Sequence, residues 1–132
     1  MTPAAVRRIR GQAGWRLPTG AVIVDRTSRY GNPFTVRSIL AEHKTLGVSL
    51  TDVDAAAIAC RRYAAWLDGA GPTRIQLNGS RWADRDWIRA HVHELVGRPL
   101  ACTCPLGSPC HRDILLARAE LLDRNQRRRG RA

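Results

Sequence analysis

Lysine is almost missing from this 132-residue chain: of its 22 basic side chains only Lys44 is lysine, and the rest are arginine. Methionine and phenylalanine occur once each, and the acidic residues number 11. No stretch approaches the roughly 18 apolar residues that a membrane-crossing helix needs, so no membrane partner is expected. The opening MTPAAVRRIR has no apolar signal core, which argues for a cytoplasmic protein rather than a secreted one. Cysteine is sparse, four in all, yet three of the four fall between residues 102 and 110. A secreted disulfide framework spreads its cysteines along the chain. In a reducing compartment such a cluster points to a metal or a reactive thiol. No internal repeat is present, and the length suits a single domain with its own core. That domain is expected over 1–126, followed by a basic tail, RRRGRA (127–132), that has nothing to bury and should fray.

What is abundant is positive charge, +11 net. Residues 1–37 hold seven arginines against Asp25, or +6, and residues 118–132 hold six against Glu120 and Asp123, or +4. The middle, 38–117, has nine basic and eight acidic residues and is nearly neutral at +1. An excess gathered at two ends attracts polyanions by counterion release, and nucleic acid or a nucleotide is the expected partner. The plainer reading is a solvated basic tail, which is common and neutral to sequence.

The apolar pattern alternates strands with helices. GAVIVDR (20–26) is a short β-branched run and reads as a buried strand, followed by the loop TSRYGNPF (27–34) with its Gly-Asn-Pro signature. A short helix is placed over 36–46, ending at Gly47. The helix over 51–69 is clearer: Thr51 and Asp54 match a capping box, and Ala55, Ala59, Tyr63, Trp66 and Leu67 form its apolar stripe. TRIQL (73–77) reads as a strand, 83–97 as a helix, PLACTC (99–104) as a second buried strand, and 109–126 as the last helix, with Leu121 and Leu122 turned inward. Ser108 suits its N-cap and Pro109 its first position. The pattern predicts an α/β fold: a small, mostly parallel sheet with helices packed on it, Rossmann-like in two or three layers. In such sheets ligands collect beyond the carboxyl ends of the strands, where helix N-termini also point. The loop after the first strand and the segment after PLACTC should therefore open on one edge.

That edge carries the chemistry. From the loop it takes Arg26, Arg29, Tyr30, Gly31, Asn32, Pro33 and Phe34 as ligand-binding candidates, with Trp15 and Tyr30 able to stack on a base among the arginines. From the second segment it takes Cys110, His111 and Asp113 as candidate catalytic residues and Arg112 as an anion donor. Three readings of the cysteines stay open. Cys102, Cys104 and Cys110 with His111 could ligate zinc, although adjacent residues on a helix point about 100° apart. Cys110 could be a thiolate nucleophile, favoured by a helix N-terminus and a neighbouring imidazole. Or the residues pack tightly under a helix terminus that binds phosphate. His91 lies on an apolar stripe and reads as a core histidine, Cys60 as core filling, and the remaining tryptophans as core anchors.

The segments AGWRLPTGAVIVDRTSRYGNPF, RYAAWL and LVGRPLACTCPLGSPCHRDILL resemble the bacterial and phage family called domain of unknown function 4326. Members show Gly-Trp-Arg, a Trp-Gly-Asn-Pro-Phe end to the arginine-bearing stretch, Tyr-x-x-Trp-Leu, and Cys-x-Cys before Cys-His-x-Asp. The resemblance spans roughly 12–117. Tyr30 stands where tryptophan is usual, Asp25-Arg26-Thr27 replaces a common Arg-Pro pair, and 36–52 looks variable. A weaker similarity, confined to the Cys…Cys-His-Arg segment, links the chain to domain of unknown function 488. The resemblance implies an α/β fold and marks the two loops as shared features, but it implies no reaction. The leading expectation is a protein that binds a nucleotide or nucleic acid at the strand-end crevice and acts chemically on it. The alternative is a non-enzymatic nucleic-acid-binding module with a structural zinc. A phage protein that inhibits a host partner would leave no trace in the sequence.

Overall fold

A computed structural model describes residues 3–130. Three short parallel strands form the sheet: β1 (Val6–Arg7), β2 (Val22–Ile23) and, between them, β5 (Leu100–Cys102). Val6 pairs with Ala101 and Val22 with Leu100, and the ladder runs on through Arg8 N to Cys102 O at 2.7 Å and Val24 N to Ala101 O at 2.8 Å. β5 is buried along its whole length, as a central parallel strand with covered faces must be. The expected α/β class with a mostly parallel sheet is what the chain adopts.

Three helices follow the reading closely. α1 (Val36–Thr45) is N-capped by Thr35, whose hydroxyl accepts from Ser38 N. α2 (Asp52–Leu67) begins with the capping box of Thr51 and Asp54. The last helix, α4 (His111–Gly130), starts two residues later than Pro109 suggests. Cys110 O accepts the first turn's N–H from Asp113 at 3.1 Å, so Cys110 precedes the helix and Ser108 does not cap it. At its other end α4 continues through 127–130, where fraying is expected from the sequence; Arg127 reaches back to Asp123 at 3.1 Å, and arginine is a good helix former. Residues 131 and 132 of that tail lie outside the described ones.

Other differences have local causes. β1 is too short and too basic to register as a strand. TRIQL does not join the sheet. Its residues Arg74–Gln76 form β3, which pairs antiparallel with β4 (Trp82–Asp84) in a separate hairpin. The helix expected over 83–97 begins at Arg85, because Asp84 accepts from the N–H groups of Asp86 and Trp87 and so caps it. This α3 (Arg85–His91) tightens after His91 into a 3-10 turn over Val92–Leu95. Leu121 and Leu122, expected inside, are 47 % and 37 % exposed.

The core gathers around Tyr63 and Trp66 of α2, with Leu95, Leu100 and Leu115. A smaller cluster of Ile39, Ala55 and Ala59 joins α1 to α2. Tyr63 is fully buried, and its hydroxyl donates to Tyr30 O at 2.9 Å. Burial pushes that hydroxyl well above its ordinary range, so it stays a donor. Tyr63→Phe leaves the Tyr30 carbonyl buried without a partner. The substitution should cost about 1–3 kcal/mol, read as a lower denaturant midpoint at unchanged slope.

Candidate functional site

Beyond the carboxyl ends of β2 and β5 lies a cavity of about 390 Å³. The loop from Asp25 to Phe34 forms one wall and the segment from Cys102 to His111 the other, so the two halves predicted from sequence do share one mouth. They are tied directly, since His111 Nε2 lies 2.5 Å from Val24 O. A third wall comes from α2, where Ala56, Ala59 and Cys60 present small side chains that leave the space open. The starts of three helices line it: Val36 of α1 with its cap Thr35, Asp52 of α2, and His111 of α4 with Cys110 just before it. Each brings unpaired N–H groups and the positive end of a helix dipole.

The loop is held by its own polar groups. Asp25, 3 % exposed, accepts from Arg8 Nη1 at 2.9 Å and from Thr27 N at 2.9 Å, and also from the Thr27 hydroxyl. Asn32 donates to Ala59 O and accepts from Phe34 N at 2.9 Å, closing a turn against α2. At Gly31 an added Cβ would lie 2.7 Å from Arg26 Cα and 3.0 Å from Asp25 O, so only glycine fits. Arg26 lines the cavity and donates to Leu77 O from Nη2, while its Nε is buried without a partner among the described residues.

The sulfur groups converge on one side of the cavity. Cys102 ends β5, with its Sγ 3.6 Å from Cys104 Sγ. Cys110 Sγ sits 3.8 Å from His111 Nδ1, and the ligand atoms of Cys102, Cys110 and His111 all lie within 4.8 Å of one another. Because Cys110 precedes the helix, the 100° objection to its acting jointly with His111 does not apply. At 2.5 Å from a carbonyl oxygen, which can only accept, His111 Nε2 is the donor, and this contact turns Nδ1 toward Cys110. All four cysteines are free thiols. Cys102 is held below the ordinary thiol range, chiefly by the Cys104 thiol and then by Cys110. Cys104 is pushed up to about 11 and Cys110 higher still, in both cases first through the bond to Cys102. Of the three thiols, the packing eases proton loss most at Cys102, toward which the other two are turned. The buried cluster of Cys102, Cys110 and His111 could hold a metal ion, with Cys104 adjacent.

Not every expected residue reaches this cavity. Arg29 leaves it for a neighbouring groove, its guanidinium 4.0 Å from the Trp87 ring centroid. Tyr30 is no stacking platform: it is 6 % exposed, packed on Trp87, and its hydroxyl donates to His91 O. Pro33 is half-buried but not in the lining. Arg112 is 4 % exposed and donates to Val6 O, bracing β1 rather than a ligand. Asp113 is exposed and lies outside the lining. His91 is the packed histidine expected, stacked on Trp87 with Nδ1 2.8 Å from Trp87 O. Sequence reasoning missed the contribution of α2 and of Thr35. The run DAAAIAC carried the signal, because alanines on a core-facing helix leave room that larger residues would fill.

The family described as domain of unknown function (DUF4326) matches residues 7–121. The chain belongs to this family. The match runs from β1 into α4 and so takes in every wall of the cavity and all four cysteines. No curated protein and no solved structure matches this DUF4326 chain.

Proposed function

We propose that this chain binds a nucleotide in the cavity, with its phosphate at the helix starts, beside a zinc ion held by Cys102, Cys104, Cys110 and His111 Nδ1. The observation that carries the reading is the meeting of three helix N-termini with the buried, unpartnered Nε of Arg26 at one cavity. An unpaired buried N–H is costly, and a phosphate oxygen is the acceptor that such a wall suits. The volume fits a ligand of nucleotide size.

For the metal, the spacing supports zinc. Bond lengths of ~2.3 Å to sulfur and ~2.0–2.1 Å to nitrogen give tetrahedral edges of roughly 3.8 Å between sulfurs and 3.6 Å between sulfur and nitrogen. The observed 3.6 Å between the Cys102 and Cys104 sulfurs and 3.8 Å between Cys110 Sγ and His111 Nδ1 each lie about 0.2 Å from those edges, within reach of a small adjustment. The Val24 carbonyl on Nε2 is the outer partner that fixes a ligating histidine's tautomer. Four protein donors close the tetrahedron, so zinc in this site braces the two walls of the crevice. Cys110, 2 % exposed, is better placed as a ligand than as a nucleophile.

Thermal melting with the four ribonucleoside 5′-monophosphates, and with inorganic phosphate alone, tests the reading. At tenfold excess over Kd a true ligand adds about 1.4 kcal/mol, a rise of about 5 °C. Arg26→Gln should remove that rise while leaving a cooperative melt. No shift with any of these probes at millimolar concentration would count against a nucleotide.

A further inference from the structure

The loop that walls the cavity has a second side. Thr27, Ser28 and Arg29 face away from it into a groove of about 330 Å³, closed by Arg74, Arg81 and Trp82 of the β3–β4 hairpin. We infer that this groove binds a single strand of nucleic acid, taking its phosphates on Arg29, Arg74 and Arg81 and a base on Trp82. This inference stands apart from the nucleotide reading, because it uses a different surface and none of the cysteines.

Charge and orientation carry it. Among the described residues none of the three arginine side chains has a carboxylate or carbonyl partner. Two are positioned by aromatic rings instead: Arg29 lies over Trp87 at 4.0 Å and Arg74 over Trp82 at 4.9 Å. A stacked guanidinium is held in place without being neutralised, and its in-plane N–H groups remain available to an anion. Elsewhere arginines are spent internally: Arg8 on Asp25, Arg62 on Glu42 and Arg118 on Asp68. The one acid in the groove, Asp84, turns Oδ1 to the N–H groups of Asp86 and Trp87 as the cap of α3, and three arginines outweigh its charge. Trp82, expected in the core, is 42 % exposed and offers ring surface to a base. Alternating guanidinium and indole surface along an open groove matches a flexible strand, whose bases are free to stack, better than a duplex.

Fluorescence anisotropy of labelled ten-nucleotide strands of deoxythymidine and of uridine, with the full chain, tests this. Arg74→Gln with Arg81→Gln should weaken binding roughly tenfold and lower the slope of log K against log salt by about 1.4, two contacts at ~0.7 each. Trp82→Leu should weaken it by roughly tenfold with the salt slope unchanged. These positions are on the hairpin surface, and the variants should melt with the wild type. The tighter of the two strands names the sugar preferred. A duplex of equal length bound as tightly as the strand would overturn the inference. So would wild-type binding by the double variant, or binding abolished by neutralising Arg127, Arg128 and Arg129 alone.

Discussion

Stripping the purified chain with a strong chelator should lower its melting temperature by about 10 °C, and zinc alone should restore it. The figure follows from mass action: an ion present at a hundred times its Kd contributes about 2.7 kcal/mol to the folded state, and a domain of this size shifts by a few degrees per kcal/mol. The proposed ligands join β5, the segment after it and the start of α4, and His111 extends the tie to β2 through Val24 O. Removing the ion therefore loosens the junction at which the sheet meets the last helix. The core around Trp66 and Leu115 includes Cys102 and Cys110 but extends past them to Leu67, Ile88 and Leu95, so the apo chain should remain folded but melt earlier. Cys104→Ser is the sharper test, because Cys104 is half-buried where Cys102 and Cys110 are 3 % and 2 % exposed, and its loss perturbs packing least. Metal analysis should give one zinc per wild-type chain and much less for the variant. A wild type with no stoichiometric metal and no response to chelator would leave the cluster as packing.

Gly31→Ala should destabilise the fold by about 3 kcal/mol and abolish ligand binding in the cavity together. Overpacking usually costs about 1–3 kcal/mol, and the upper end applies because the contacts at 2.7 and 3.0 Å are with backbone, which cannot rotate away. Relief requires Asp25 and Arg26 to move, and Asp25 carries the bonds from Arg8 and Thr27 that hold the wall. Gly47→Ala provides the comparison. Its φ of +78° makes alanine strained, but nothing lies within 4 Å of the added Cβ, so the cost should be about 1–2 kcal/mol with binding intact. Equal losses of stability and equal binding in the two variants would remove Gly31 from the site argument.

The edge where the site sits was legible because strand, loop and helix signals are local and strong. The β-branched run around Val22, half-buried at the sheet edge rather than buried as expected, the capping box of Thr51 and Asp54, and the cysteine spacing each speak through a few neighbouring residues. Contacts between distant segments were not legible. Tyr30 looked like a loop aromatic among arginines, and only the approach of α3 makes it core, with Trp87 at 5.0 Å between centroids. Arg29 and Arg26 are three residues apart in one loop, but the turn between them sends one into each hollow. Arg112 looked like an anion donor until β1, a strand of two residues with an arginine in it, took its place beside β5. Trp82 read as an anchor because tryptophan is usually buried, and pairing in a short hairpin left it outside.

The sheet is assembled from residues far apart in the chain, with its middle strand last. β1 and β2 do not pair with each other; each pairs only with β5, which follows β2 by some 77 residues. During synthesis both edge strands emerge with no neighbour to bond, and the sheet can close only once residue 102 is available. Such late, long-range closure makes folding slower than helix formation and ties it to a nearly finished chain. Cutting the molecule between α2 and β5 would give two fragments, neither of which contains a strand pair of the central sheet.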